Sequence, residues 1–151
     1  MRSLRFGIAI IVALVLVSTA AALAPSGSAA RATTVATAAN GLGRILVDGR
    51  GRTLYLFEKD KRAQSECSGV CIAYWPPLLA KGKWIGINGV KQSLLASIRR
   101  ADGSRQLTYA GHPLYLFSGD TKRGQTNGEG LTDFGAGWYA LNAAGKKIDR
   151  D

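Results

Sequence analysis

The chain has 151 residues, a formal net charge of +10, two cysteines and one histidine. Its length allows one small domain with a modest hydrophobic core. The cysteines and the histidine are too few for a four-ligand zinc site, and no recognisable nucleophilic or acid–base set is present. We therefore expect neither an enzyme nor a cofactor.

Residues 1–30 have the layout of a secretory signal peptide. A short basic head precedes an apolar run at residues 6–17, and small residues follow. Cleavage is expected after Ala24 or Ala30, and the second site is preferred because a proline follows the first directly. The alternative is an uncleaved anchor, since residues 6–24 exceed the length of about 17 residues needed to span a bilayer. Such an anchor would be the only contact with a membrane. We expect a secreted, periplasmic or cell-envelope protein.

The chain stays basic once residues 1–30 are removed. That segment carries two arginines and no acidic residue, so the remaining charge is 18 − 10 = +8. Such a charge favours anionic partners, such as anionic components of the cell envelope. The basic residues are scattered or paired and no nucleic-acid-binding motif is present, so we expect no specific binding to nucleic acid.

The local pattern predicts a β-rich domain that follows a tether. Residues 31–42 are rich in Ala and Thr without periodic apolar positions, which predicts a flexible tether. The folded domain is predicted over residues 43–149. Hairpins are predicted at residues 44–57 and around the Asp-Gly turn at 102–103, and a helical turn near 91–95. The predicted fold class is mostly β: a small antiparallel domain of two related hairpin or meander units with at most one short helix.

A ten-residue motif occurs twice, at residues 51–60 and 111–120, with identical residues at six of the ten positions. The fixed offset indicates a tandem duplication of one structural unit. Each copy has a tyrosine, a phenylalanine two positions later and an aspartate three positions after that. These shared residues are Tyr55, Phe57, Asp60, Tyr115, Phe117 and Asp120.

Both faces of the motif strand are apolar. A side-chain period of two puts Leu54 and Leu56 on one face and Tyr55 and Phe57 on the other. A strand covered on both sides explains this pattern, and this is the preferred interpretation. The alternative is an exposed aromatic platform that stacks on a ligand. The candidate ligand-binding residues are then Tyr55, Phe57, Tyr115, Phe117 and His112.

Cys67 and Cys71 are the only cysteines, and export to an oxidising compartment predicts a disulfide between them. The loop that it closes is short, so its expected stabilisation is only about 2 kcal/mol. The alternative is a Cu(I) site, in which both thiolates and His112 would be the ligands. The copper proteins with this cysteine spacing use a thioredoxin-like scaffold with several long helices, which this sequence does not offer.

Trp75 is expected in the core, and the acidic residues after the motifs are expected in turns. Asp60 is predicted to close a turn by an Asx-type hydrogen bond, with ion binding as the alternative. Residues 120–133 are predicted to form a solvated polar loop. The alternative for this loop is a calcium site with oxygen ligands from Asp120, Asn127, Glu129 and Asp133.

Both copies match the pattern Tyr-x-aromatic-x-x-Asp, and between them lie the cysteine pair, Trp75-Pro76-Pro77 and the run from Asp102 to Tyr115. In these motifs and their order the chain resembles a bacterial family known as the secreted repeat of unknown function, also described as predicted lipoproteins. The resemblance covers roughly residues 43–149. It implies an exported cell-envelope protein with no established activity. This chain lacks the cysteine to which a lipid would be attached.

The sequence therefore predicts an exported, non-catalytic binding or structural module. Binding would use the aromatic face of the repeated strands or the loop at residues 120–133. Two alternatives remain open. One is a redox or copper-handling accessory protein that uses Cys67, Cys71 and His112, and the other is adhesion to anionic envelope polymers.

Overall fold

The computed structural model describes residues 32–149. The predicted signal peptide lies outside the described residues. Nine strands and one four-residue α-helix are assigned between residues 32 and 149, and none of the helices there is long and apolar enough to cross a membrane. The strands are β1 (Thr33–Asn40), β2 (Gly43–Asp48), β3 (Tyr55–Phe57), β4 (Trp84–Gly86), β5 (Leu95–Arg99), β6 (Arg105–Tyr109), β7 (His112–Pro113), β8 (Thr132–Asp133) and β9 (Ala136–Ala140). The helix α1 is Cys71–Tyr74, and a 3-10 turn covers Gln92–Leu94.

The described strands form three small sheets, in the orders β2-β1-β4, β3-β9-β8 and β5-β6-β7. The predicted fold class is confirmed, because these sheets are mostly antiparallel and α1 is a single short helix. One pairing differs: β4 runs parallel to β1, with Thr33 opposite Trp84. The hairpin around residues 102–103 is present, whereas the one predicted at 44–57 forms only next to its turn, because β3 pairs with β9. Val47 faces Thr53 in the first hairpin, and β5 pairs with β6 around the turn at residues 102–103 in the second.

The prediction of a flexible tether at residues 31–42 is wrong. Residues Thr33–Asn40 form β1, which pairs with β2 from Val35 opposite Asp48 to Asn40 opposite Gly43. The strand lacks an alternating pattern because both of its faces are covered: Val35 packs in one hydrophobic core and Ala36 in another. Small side chains fit between the two cores, and the residues that cover β1 come from distant parts of the chain. The folded domain therefore includes β1.

Two hydrophobic cores lie on opposite sides of the motif strands. Leu54 and Leu56 of the first motif pack into an aliphatic core, whereas Tyr55 and Phe57 pack into an aromatic core that also contains the disulfide. All four side chains are buried. The motif strand is therefore covered on both sides, which confirms the preferred interpretation of its two apolar faces.

The two repeats are intertwined rather than set side by side. Strand β3 of the first repeat pairs with β9 of the second, with Tyr55 opposite Ala140 and Phe57 opposite Trp138. The exchange is reciprocal, because residues 74–78 of the first repeat pair with the second motif.

Backbone hydrogen bonds define this second crossing. The amide of Leu116 donates to the carbonyl of Pro76, and the amide of Ser118 donates to the carbonyl of Tyr74, both at 2.8 Å. Each repeat therefore supplies a segment that completes the sheet of the other repeat. The motif strands themselves meet at the centre: the amides of Tyr55 and Tyr115 donate to each other's carbonyls at 2.9 and 3.0 Å.

We predict that neither repeat folds alone. A fragment of residues 32–88 and a fragment of residues 89–149 should each give a narrow range of amide proton shifts in an NMR spectrum, because each lacks the segment that pairs with its motif strand. The first fragment keeps both cysteines, so its loss of structure would not reflect a missing disulfide. Mixing the two fragments should restore the dispersed spectrum of the intact domain. A dispersed spectrum from either fragment alone would contradict the intertwined arrangement.

Candidate functional site

The motif tyrosines and aspartates bind each other across the two repeats. The Tyr55 hydroxyl donates to Oδ2 of Asp120 at 2.6 Å, and the Tyr115 hydroxyl donates to Oδ2 of Asp60 at 2.8 Å. Both tyrosines are fully buried. The most distinctive polar residues of the motif therefore join one repeat to the other.

The second carboxylate oxygen of each aspartate holds the loop that follows it. Oδ1 of Asp60 accepts a hydrogen bond from the amide of Glu66 at 2.7 Å, and Oδ1 of Asp120 accepts one from the amide of Asn127 at 2.9 Å. The Asx-type bond predicted for Asp60 is not the one observed, because its carboxylate reaches an amide six residues further along and closes a longer loop. Each aspartate thus fixes its own loop and the opposite repeat at once.

The aromatic residues do not form an exposed platform. Trp138 stacks on Trp75 with ring centroids 3.9 Å apart and on Phe57 at 4.0 Å. Tyr55, Phe57 and Tyr115 are buried, and Phe117 is half-buried against Trp75. The alternative of a ligand-stacking face is wrong because these rings stack on one another in the core.

The surroundings of the two tyrosine–aspartate pairs differ. Near Tyr115 and Asp60, the hydroxyls of Ser65 and Tyr115 share a hydrogen bond of 2.7 Å, and the Arg100 guanidinium donates to the Ser65 hydroxyl at 2.9 Å and to the Cys67 carbonyl at 2.6 Å. Arg100 also donates to the side chain of Gln106. This pair therefore lies in a polar network that contains a cation.

The Tyr55 and Asp120 pair lies beneath a glycine. The amide of Gly128 approaches the Tyr55 hydroxyl at 3.4 Å, and a Cβ at this glycine would lie 2.8 Å from the Trp75 ring. Only a glycine allows the loop to approach the core so closely. The two copies thus share one hydrogen-bond scheme in different environments.

Burial dominates the protonation of the motif residues. It raises the pKa of Asp60 from 3.8 to about 6, although the Glu66 amide and the Tyr115 hydroxyl oppose this shift by hydrogen bonding to the carboxylate. Burial also raises the pKa of Asp120, and the Tyr55 hydroxyl and the Asn127 amide oppose that change. The pKa values of both tyrosines are raised, first by burial and also by the neighbouring carboxylates.

The predicted disulfide is confirmed. Cys67 and Cys71 are joined with their Cα atoms 5.4 Å apart, and both are buried in the aromatic core. Cys67 precedes α1 and Cys71 begins it, so the bridge closes a loop rather than a helical turn. The joined sulfurs are not available as thiolate ligands for copper, and residues 32–149 contain no group of three His, Cys, Asp or Glu that could hold a metal ion.

The loop at residues 120–133 is fixed to the core by its acidic side chains. Oε2 of Glu129 accepts a hydrogen bond from the amide of Ala140 at 2.7 Å, and Oδ2 of Asp133 accepts one from the Trp75 indole at 3.3 Å. The predicted solvated loop is thus only partly correct. The oxygens considered for calcium instead hold the loop in place.

Two clefts lie beside the motif strands. The first, about 510 Å³, lies beside Leu116, and the second, about 390 Å³, lies beside the equivalent Leu56. We call the first the arginine cleft, because it contains Arg50 and Arg52, together with Lys81. The second contains the other candidate site residue, His112, and we call it the histidine cleft.

The arginine cleft was not predicted from the sequence. Arg52 stands at the motif position that His112 occupies in the second copy, and this difference between the copies was the available signal. Asp48 accepts hydrogen bonds from Nε and Nη2 of Arg52 at 2.9 and 2.7 Å, and from the amides of Arg50 and Arg52, both at 2.9 Å. Its carboxylate is therefore engaged in shaping the turn, whereas Arg50 and Lys81 are exposed.

The histidine cleft contains two lysines and two carboxylates, so its charges are closer to balanced than those of the arginine cleft. Nζ of Lys147 pairs with Glu58 at 2.9 Å and with Asp149 at 2.7 Å, and it lies over the Tyr139 ring. The pKa of His112 is lowered by burial and by the nearby charge of Arg62, which disfavours its protonated form. His112 thus occupies a cleft of its own, lined by Asp60 and Glu58 rather than by the cysteines.

We predict that the motif hydroxyls contribute to stability. Tyr55→Phe and Tyr115→Phe should each lower the free energy of unfolding by about 1–3 kcal/mol, because each leaves a buried carboxylate short of one hydrogen bond. Urea unfolding monitored by circular dichroism measures this change. Tyr74→Phe, at an exposed tyrosine, is the matched control and should change the value by less than about 0.5 kcal/mol. Unchanged stability in both motif variants would contradict a structural role.

Asp60 should titrate near pH 6 in the folded protein. NMR of the side-chain carboxyl carbon measures this midpoint, and Asp102, whose pKa is lowered by hydrogen bonds from Ser104, is the control. The folded state binds the Asp60 proton more tightly than the unfolded chain does. This group therefore favours folding most below pH 3.8, and its contribution is lost as the pH rises to about 6. A midpoint at or below the value of a free aspartate would contradict the burial.

Comparison with known proteins agrees with the duplicated architecture. No curated protein and no solved structure matches the chain. The family described as the secreted repeat of unknown function matches twice, over residues 36–79 and 96–142. The first match begins within β1 and the second within β5, so they correspond to the two intertwined units. The chain is therefore a secreted protein that belongs to this family of secreted repeats.

Proposed function

We propose that this secreted protein is a non-catalytic binding module of the cell envelope, and that its arginine cleft binds an anionic envelope component. The observation that carries the proposal is the charge of this cleft. Three basic side chains, Arg50, Arg52 and Lys81, line it together with one carboxylate, Asp48, which is bonded to Arg52 and to the turn.

The geometry of the cleft supports binding of a polymer segment. Its volume of about 510 Å³ lies within the range of about 300–1,000 Å³ that is usual for ligand sites. The Asp48 carboxylate orients the Arg52 guanidinium before any ligand arrives, so little side-chain freedom is lost on binding. Leu78 and Leu116 form an apolar wall beside the charges. A polymer that carries phosphate or carboxylate groups matches this mixture.

A non-catalytic role is supported by the use of the reactive side chains elsewhere. The motif tyrosines and aspartates are bonded to each other, and both cysteines are joined in a disulfide. General acid–base catalysis needs such groups aimed at an open site.

Polyphosphate is a suitable first probe for the arginine cleft. The double variant Arg50→Glu/Lys81→Glu should weaken binding of labelled polyphosphate at least about tenfold in fluorescence anisotropy, because it reverses two charges of the cleft. The control is Lys61→Glu/Arg99→Glu, which changes the net charge equally at exposed residues outside the cleft. Binding should also weaken as salt is added.

Two results would overturn this proposal. One is an equal loss of affinity in both double variants, which would show that only net charge matters. The other is the absence of binding both to polyphosphate and to purified envelope polymer at low salt.

A further inference from the structure

A second surface of the domain combines exposed isoleucines with lysines. Ile85 and Ile87 are 44% and 43% exposed, although both are large apolar residues. They lie two positions apart along β4 and its continuation, so with Lys83 they point to the same side. Lys91 is exposed after the following turn. We call this set, Lys83, Ile85, Ile87 and Lys91, the β4 face.

The segment that carries the β4 face is basic. Lys83 and Lys91 lie in a stretch, between Glu66 and Asp102, that carries no acidic residue. This segment includes all of β4 and the turn after it. This surface combines exposed aliphatic side chains with lysines, and its segment of the chain contains no carboxylate. Such a composition matches the headgroup region of an anionic lipid layer.

The free edge of β4 is already occupied, which argues against another protein strand as the partner. Oε1 of Gln92 accepts a hydrogen bond from the amide of Gly86 at 2.7 Å, and Nε2 of the same side chain donates to the carbonyl of Trp84 at 3.3 Å. The side-chain amide thus takes the place of a neighbouring strand. Pairing of a second copy along this edge would first have to break both bonds.

The start of β1 lies beside the β4 face, and this position favours contact of the face with a membrane. The amide of Thr33 donates to the carbonyl of Lys83 at 2.8 Å, and Thr34 lies opposite Ile85 in the parallel pair of β1 and β4. Residues 1–31, which include the apolar run at residues 6–17, therefore join the domain directly beside the β4 face. An uncleaved anchor, the alternative given for residues 6–24, would hold this face close to the lipid surface.

We propose that the β4 face docks the domain on an anionic lipid surface. Ile85 and Ile87 enter the boundary between headgroups and acyl chains, where their exposed apolar area is removed from water. Lys83 and Lys91 lie at the level of the lipid phosphates. The arginine cleft is a separate site, so this docking does not depend on the polymer binding proposed above.

Co-sedimentation of the mature chain, residues 31–151, with vesicles tests the lipid docking without the apolar run at residues 6–17. The protein should bind vesicles of phosphatidylglycerol and not vesicles of phosphatidylcholine. The variant Ile85→Ser/Ile87→Ser should lower the partition coefficient about tenfold, since two partly buried isoleucines are lost. Lys83→Glu/Lys91→Glu should lower it at least as much and should remove most of its dependence on salt.

Matched controls distinguish binding by the β4 face from nonspecific binding by other apolar or charged residues. Val70→Ser/Tyr74→Ser removes two other exposed apolar side chains, and Lys61→Glu/Arg99→Glu reverses two other charges. Both controls should bind the vesicles within about twofold of the unchanged protein, while the unfolding midpoints confirm that every variant is folded. Arg50→Glu/Lys81→Glu should keep vesicle binding, and Ile85→Ser/Ile87→Ser should keep polyphosphate binding.

Several outcomes would overturn the lipid docking. These are the absence of binding to phosphatidylglycerol, equal binding to both lipids, an unchanged partition of Ile85→Ser/Ile87→Ser in a folded protein, and equal losses in the control variants. Loss of polyphosphate binding alone would overturn only the function proposed for the arginine cleft.

Discussion

The domain depends on one reciprocal contact, in which the two motif strands meet at Tyr55 and Tyr115. Their backbones hydrogen-bond to each other, and each hydroxyl reaches the aspartate of the opposite repeat. Buried hydrogen bonds to ionised groups contribute about 1.5–3 kcal/mol each. Because each aspartate also fixes the loop that follows it, these bonds connect the centre of the molecule to both long loops.

The two repeats share the tyrosine–aspartate hydrogen bonds but differ in the residues that surround them. The loop after Asp60 carries the disulfide and is bonded to Arg100, whereas the loop after Asp120 lies over the core through Gly128. The outer clefts differ in the same way, since Arg52 stands in one and His112 in the other. The shared residues of the motif thus join the two repeats, and Arg52, which differs from its counterpart His112, lines the cleft proposed to bind.

Both proposed surfaces lie beside β1. Thr33 and Thr34 line the arginine cleft, and the same two residues pair with β4. In this proposal a domain docked on lipid through Ile85 and Ile87 holds the arginine cleft close to the membrane surface. Anionic components attached at that surface would then be presented to the cleft at a high local concentration.

The sequence by itself determined much of this protein. The offset between the motifs, the alternation around Tyr55, the turn residues and the cysteine spacing predicted a duplicated β domain with two buried faces and a local disulfide. These features depend on near neighbours along the chain. Only the tertiary structure decided that β1 is a strand, that the motif rings stack with Trp75 and Trp138, and that each tyrosine binds the other repeat's aspartate, 55 and 65 residues away. A periodic pattern shows that a face is buried, but it does not show which distant segment covers it. In this domain the covering segment comes from the other repeat.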